Sequence, residues 1–310
     1  MEGQLMLESP LVSVVMGVRN GGPELADTLD SLTTQQGVDF EIIVVNDGST
    51  DSTAELLADW STRDPRFVVL QRSGRGLTAS LIEGCQLARG TYLARQDSGD
   101  RSLPGRLAAQ VACLEADTEA SLCSTFVRLL VPEGATLTVN APDEASLADG
   151  LTGPAHHGAV MMRRSVYEQV GGYRLAFHYA QDIDLWTRLV EFGRHRIVPH
   201  ILYEATVAPG SISGSRRKEQ EQFHSYIVNI THARRQGFSE SSWLAKAETL
   251  SVNCKNAPAK GRRQGAANGA YFIAACLEKE HPQLAAKYLR QALDLNPLHM
   301  KARLKLFSLR

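Results

Sequence analysis

The sequence predicts an α/β protein: a Rossmann-like, mostly parallel central sheet with helices on both faces, plus a smaller all-helical C-terminal region. Three observations predict it. Apolar runs and segments of helical period alternate from Leu11 to about Gln96. Two of those runs, in FEIIVVNDGSTDST (Phe40 to Thr53) and TYLARQDSGD (Thr91 to Asp100), stop abruptly at aspartate and glycine. Each therefore delivers a carboxylate to the carboxyl edge of a parallel sheet, where ligands of open α/β folds bind. From about Arg216 onward the pattern is helical throughout.

LVSVVMGV reads as the first strand. Gly21 and Gly22 turn the chain, Pro23 suits a first helical turn, and Leu25, Leu29 and Leu32 recur at helical spacing. FEIIVVN reads as a strand buried on both faces, and the loop Asp47 to Asp51 joins it to a helix for which Ser52 and Glu55 have capping-box spacing. FVVLQ is the third strand, LTASLIEGCQLA a helix and TYLARQ the fourth strand. Pro104 begins a helix with Leu107, Val111 and Leu114 on one stripe. SLCSTFVRLLV is a further strand, and the turn-rich stretch Pro132 to Ala155 is expected to be a flexible loop on the acceptor side. AVMMRRSVYEQVGGYR reads as a strand into a short helix stopped at Gly171 and Gly172, and AQDIDLWTRLVEFG as a helix ended by Gly193. Two domains are expected, 1–215 and 216–310, with 265–310 forming a hairpin like a tetratricopeptide repeat and Pro297 ending its second helix.

With 310 residues, 43 % of them apolar, the chain can bury one large core or two smaller ones. A formal charge of -1 argues against nucleic acid as a partner, although Arg216, Arg217, Lys218 and Arg262, Arg263 form local basic patches. The start lacks the layout of a secretory signal, and no apolar run approaches the roughly 20 residues needed to cross a bilayer. The expected location is cytoplasmic, including peripheral association at the inner face of the membrane. Cys85, Cys113, Cys123, Cys254 and Cys276 form no CxxC pair and read as reduced thiols.

Several residues carry chemistry, each with a plainer alternative. Asp47, in a strand-to-helix loop, suits either a base or ribose hydroxyl or an Asx turn. Asp97 and Asp100 flank Ser98 and Gly99 closely enough to share a hard cation, or else form a polar turn in which Asp100 favours the start of the Pro104 helix. Asp184 and Arg188, four apart, read as a surface pair, which leaves Asp182 available as a general base or as a helix cap. His156 and His157 read as loop residues or as metal or phosphate ligands. Arg75 and Arg95 suit either diphosphate or solvent. Gly74, Gly76 and Ala79 fit GxGxxA, the mark of dinucleotide binding, but at the third strand rather than the first βα turn.

Taken together, VSVVMGVRNGG, FEIIVVNDGSTDST, GRGLTASLIEG, YLARQDSGD with LPGRL, AVMMRRSVYEQVGGYR and AQDIDLWTRL resemble, in this order, the family-two glycosyltransferases, inverting nucleotide-sugar enzymes of GT-A fold. The resemblance covers about Pro10 to Ile212. It implies transfer of a sugar from a nucleoside-diphosphate sugar, a UDP-sugar first of all, to a saccharide, lipid-linked or protein acceptor in surface polysaccharide or glycoconjugate synthesis. In that resemblance Asp47 contacts the base, Val18 and Arg19 line the nucleotide, and Arg75 and Arg95 contact diphosphate. Asp97 serves both donor and metal, Asp100 serves the metal, His157 is a further metal candidate, and Asp182 is the catalytic base. The implied cofactor is Mn²⁺ or Mg²⁺. The family's metal loop reads DxDD, whereas Gly99 stands here at the third acidic position, and Gln181 precedes Asp182 where glutamate is common. The altered loop also suits a catalytically inactive nucleotide-sugar binder whose helical tail recruits a protein partner.

Overall fold

The computed structural model describes residues 9–131, 133–139, 144, 148–207, 216–256 and 262–309. Two compact units emerge. Among the described residues, the first unit takes those up to Val127, those from 144 to Leu175 and Gln181–Glu204; the second takes Arg128–Val139, Ala176–Ala180 and those from Ala205 onward.

The first unit opens with β1 (Val12–Val18), α1 (Glu24–Thr33), β2 (Phe40–Asp47), α2 (Thr53–Arg63), β3 (Phe67–Arg72), α3 (Leu77–Leu87) and β4 (Tyr92–Arg95). Along the chain after β4 come β5 (Arg101–Ser102), α4 (Arg106–Ala116), β6 (Ala120–Leu130), whose last three residues belong to the second unit, β7 (Thr136–Val139), which lies in the second unit, a 3₁₀ turn at His157–Ala159, β8 (Val160–Arg163), α5 (Arg164–Gln169), α6 (Gln181–Leu189) and β9 (Arg194–Thr206), whose last two residues belong to the second unit. The strands order as β3-β2-β1-β4-β8-β6-β9-β5, with β7 beside β6. β1 to β4 are parallel, whereas β8 runs antiparallel to β4 and β6 antiparallel to β8. The sheet is thus mostly parallel on one side and mixed on the other.

Period-2 alternation divides β1 between two cores. Val12, Val14, Met16 and Val18 join Leu25, Leu29 and Leu32 of α1, Leu57 of α2, and Leu107, Val111 and Leu114 of α4. Val15 points the other way, towards Leu81 of α3, Tyr167 of α5 and Leu185 and Leu189 of α6. β2 is buried along its whole length. Of its two buried carboxylates, Glu41 is satisfied by the Ser13 hydroxyl at 2.7 Å and by the Arg89 guanidinium at 2.8 Å.

Several details depart from the sequence reading. Ser52 makes no side-chain cap on α2; Asp51 instead accepts the Thr53 N–H at 3.1 Å, because its carboxylate reaches the orphan donor first. Asp184 is not on the surface: it is 0 % exposed and accepts from Arg188 at 2.7 Å and from Arg174 Nε at 3.0 Å. A periodicity argument cannot see Arg174, which arrives from a different segment. β9 was unread because its polar residues alternate irregularly with apolar ones, and β7 lies inside the stretch read as a loop. Of that acceptor-side stretch, Pro132 to Ala155, residues 132, 140–143 and 145–147 lie outside the described residues.

His195 on β9 is buried against Ser124 Oγ at 2.8 Å, and burial pulls its pKa down to about 4. The folded state therefore takes up its proton later than the unfolded chain does. Stability from this group is complete above the unfolded value near 6.5 and is lost as pH falls towards 4, at up to about 1.4 kcal/mol per pH unit. Urea melts of His195→Gln should show a flatter pH profile across that window than the parent; identical slopes would contradict the assignment.

The second unit holds α7 (Arg217–Arg235), α8 (Ser241–Asn256), α9 (Arg262–Leu277), α10 (Pro282–Leu295) and α11 (Met300–Ser308). α9 and α10 form a helical hairpin around Ala270, Ile273, Ala274, Leu277, Ala285, Tyr288, Leu289 and Ala292. No helix among the described residues is long and apolar enough to cross a membrane. All five cysteines are free thiols.

Candidate active site

The carboxyl ends of β1, β2 and β4 lie on one edge, since Val18 pairs with Asn46 and Val15 with Arg95 in parallel register. This edge carries two groups of residues.

The first group surrounds Asp47, which is 4 % exposed at the end of β2. Its Oδ1 accepts the backbone N–H of Arg75 at 2.6 Å and its Oδ2 that of Gly76 at 2.7 Å. Gly48 (φ +73°) makes this approach feasible, because a Cβ there would stand 2.9 Å from the Gly74 nitrogen. Val18 is buried, and the exposed Arg19 lies beside Gly74. The Arg75 guanidinium is exposed and pairs with Glu83 at 2.5 Å. Gly74, Gly76 and Ala79 do not form a pyrophosphate cradle: the Asp47 carboxylate occupies the N–H groups of residues 75 and 76, and one anion site cannot hold two anions.

The second group lies beyond β4. Arg95 is 1 % exposed; it donates to the Val15 carbonyl, to Asp97 Oδ1 at 2.6 Å and to His157 Nε2 at 3.3 Å. Its guanidinium thus stands behind Asp97 rather than in solvent. Burial is the largest influence on Asp97 and opposes its ionisation, but the Arg95 charge, together with His157, His156 and Arg106, outweighs it and holds the carboxyl below its usual range. Tyr203 of β9 locks the loop from the other side, accepting the Asp97 N–H at 3.1 Å and donating to Asp100 Oδ2 at 3.0 Å. Beneath it, Arg106 is wholly buried and donates to the carbonyls of Arg95 and Gly158 at 2.7 Å each.

One ligand atom each from Asp97, Asp100 and His156 lie within 4.8 Å of one another. His156 Nδ1 stands 3.8 Å from Asp97 and its Nε2 3.7 Å from Asp100. Two carboxylates and an imidazole suit a Mn²⁺-like cation, which takes oxygen and nitrogen donors together. The histidine of this group is His156, not His157. The His157 ring turns inward to Tyr173 Oη at 2.7 Å and to Arg95, and burial with the neighbouring Arg95 charge pushes its pKa down to about 3, so it stays neutral.

Asp182 opens α6, partly buried, with Oδ1 accepting the Ile183 N–H at 2.9 Å. Burial raises its pKa above the usual carboxylate range, and the Asp97 charge raises it further. It therefore belongs to the electrostatic field of the Asp97 group. Ala180, just before it, holds a left-handed φ of +57°, a strained entry that aims the start of the helix. The structure thus gathers Asp97, Asp100 and His156, leaves Asp182 within electrostatic reach of Asp97 and His156, and sets Asp47, Arg75, Val18 and Arg19 at or just past the ends of the neighbouring strands.

Residues 13–171 match the description of Glycosyl transferase family 2. The chain belongs to this family. EpsE of Bacillus subtilis (strain 168) is 35 % identical over 196 residues, which cover 61 % of this chain and 69 % of that protein. The chondroitin synthase of Pasteurella multocida (strain Pm70) is 24 % identical over 222 residues, 71 % of this chain but only 23 % of the synthase. Among solved structures, the mannosyltransferase PcManGT from Pyrobaculum calidifontis, in complex with GDP-Man and Mn²⁺, aligns with a TM-score of 0.59 at 20 % identity, covering 94 % of this chain and 88 % of that one. The crystal structure of S. aureus TarS 1–349 aligns at 0.58 with 14 % identity, covering 96 % and 88 %. The fold of this glycosyltransferase is GT-A, with a helical C-terminal region.

The sequence reading offers a metal or phosphate role for His156 as one alternative, but no role for Gly158, Arg106 or Tyr203. Arg106 lies in the quoted LPGRL and His156 in a paired-histidine loop, so signals existed for both. Nothing in a single sequence marked Tyr203, because its strand was not read.

Proposed function

We propose that this glycosyltransferase moves a sugar from a nucleoside-diphosphate sugar to an acceptor hydroxyl with inversion, in the synthesis of a polysaccharide or glycoconjugate. The observation that carries the reading is the gathering of Asp97, Asp100 and His156, with the Asp182 carboxylate, whose pKa is raised, feeling the Asp97 charge. The donor class is supported by TarS complexes with UDP and UDP-GlcNAc and by PcManGT with GDP-Man.

Asp97, Asp100 and His156 would hold the Mn²⁺ or Mg²⁺, which when bound supplies positive charge to the departing diphosphate. Arg95 is a positioning residue: it keeps Asp97 ionised and aimed. Asp47 pins the backbone of residues 75 and 76 to the end of β2, shaping the nucleotide side of the edge beside Val18 and Arg19, and Arg75 stands exposed at the diphosphate side. Asp182 takes the proton of the acceptor hydroxyl as its oxygen bonds to the anomeric carbon and the bond to the diphosphate oxygen breaks. Gly99 leaves the family's third carboxylate missing, which would suit an inactive binder; the His156 imidazole beside Asp97 and Asp100 offers a third donor and favours the active enzyme.

Calorimetric titration with UDP-GlcNAc and GDP-Man in the presence of Mn²⁺ tests the reading. At least one should bind, and Asp47→Ala should weaken it by about 1–3 kcal/mol through the loss of two buried hydrogen bonds. Absence of binding by either, or equal affinity in the variant, would overturn it.

A further inference from the structure

The last helix presents an apolar stripe away from its own core. Met300, Leu304 and Phe307 are 59 %, 67 % and 78 % exposed, and Leu298, just before the helix, is 79 % exposed. At about 100° per residue, positions 300, 304 and 307 share one narrow face. The opposite face, Ala302, Leu306 and Leu309, packs into the α9–α10 hairpin core. The stripe is therefore not a fragment of that core.

Within the helix's own stretch of sequence the charges are one-sided, and the acidic group that reaches a flanking cation, Glu221 near Lys301, comes from α7. From Asn296 to Arg310 the sequence holds Lys301, Arg303, Lys305 and Arg310 and no acidic residue. Lys301 and Arg303 are exposed and fall on either flank of the stripe, while Lys305 is drawn off to Glu278. An apolar ridge bordered on both sides by cations matches the layered chemistry of an anionic bilayer, in which acyl chains lie beneath negative headgroups. A second copy of this chain fits poorly, since pairing the face with itself would bring like charges together.

We propose that the face formed by Leu298, Met300, Leu304 and Phe307, bordered by Lys301 and Arg303, is a reversible docking surface for an anionic lipid bilayer. The helix would lie in the headgroup plane with the stripe among the upper acyl carbons. This inference stands apart from the proposed sugar transfer and survives its failure.

Sedimentation of the full chain with phosphatidylcholine vesicles, and with equimolar phosphatidylcholine and phosphatidylglycerol vesicles, at low and high salt, is the test. Binding should appear on the anionic vesicles and fall at high salt. Lys301→Ala with Arg303→Ala should weaken it roughly 25-fold, at about fivefold per cation near the surface. Leu304→Ser with Phe307→Ser should abolish it with helicity by circular dichroism unchanged, since both side chains are exposed. Absence of binding, equal binding to neutral vesicles, or full binding by the serine variant would overturn the proposal. So would a dimer, seen by sedimentation velocity, that the serine variant dissolves.

Discussion

Asp182→Asn is expected to lower turnover by about 10²–10⁴-fold while leaving donor affinity within about twofold. The substitution keeps shape and volume and removes only the capacity to accept a proton. The Ile183 N–H can still donate to the amide oxygen, so the start of α6 should stay in place. Because burial and the Asp97 charge raise the Asp182 pKa, the parent's rate should fall on acidification at a pH above the usual carboxylate range, as Asp182 becomes protonated. The asparagine variant should lack that acid limb in its residual rate. Initial-rate profiles across pH, paired with calorimetry of donor binding, read both effects. Retained turnover with the limb intact would take the proton-accepting role away from Asp182.

Gly158→Ala is expected to destabilise the fold by about 3 kcal/mol and to disrupt the Asp97 group with it. A Cβ at 158 would sit 2.0 Å from Tyr203 Oη, 2.5 Å from its Cζ and 3.2 Å from Asp97 Oδ2. Tyr203 cannot step aside cheaply. It is fully buried, with the Arg106 guanidinium 4.9 Å from its ring centre, and its hydroxyl bridges Asp97 and Asp100. Denaturant melts would give the loss, and a double-mutant cycle with Tyr203→Phe would locate it. Deleting the hydroxyl removes the closest contact, so Gly158→Ala should do less damage in that background. Additive losses would place the strain elsewhere.

Much of the scaffold was legible because it rests on short-range rules. Buried parallel strands read as apolar runs in β1, β2 and β4, and Leu25, Leu29, Leu32 and Leu107, Val111, Leu114 declared their helical faces by spacing alone. Asp97 and Asp100 were legible because strands of this kind end where ligands bind. The mixed half of the sheet was not legible: β9 and β7 carry no clean alternation, and β9 pairs with β5 and β6, far away in the chain. The electrostatic roles were also hidden. Arg95 and Arg75 look alike as strand-edge arginines, yet one is enclosed behind Asp97 and the other pairs with Glu83 at the surface. Of the two adjacent histidines, the chain direction turns His157 inward to Tyr173 and leaves His156 facing the carboxylates.

The sequence by itself determined the family, the strand-helix alternation and the set of carboxylates at the sheet edge, since these depend on periodicity and on residue types within a few positions of one another. Only the tertiary structure decided which groups share a site and in which charge state. Burial and a glycine that lets Tyr203 close over the loop are set by contacts between segments far apart in the chain, for example Gly158 and Asp97 or, 106 residues apart, Asp97 and Tyr203. Such contacts leave no local pattern to read.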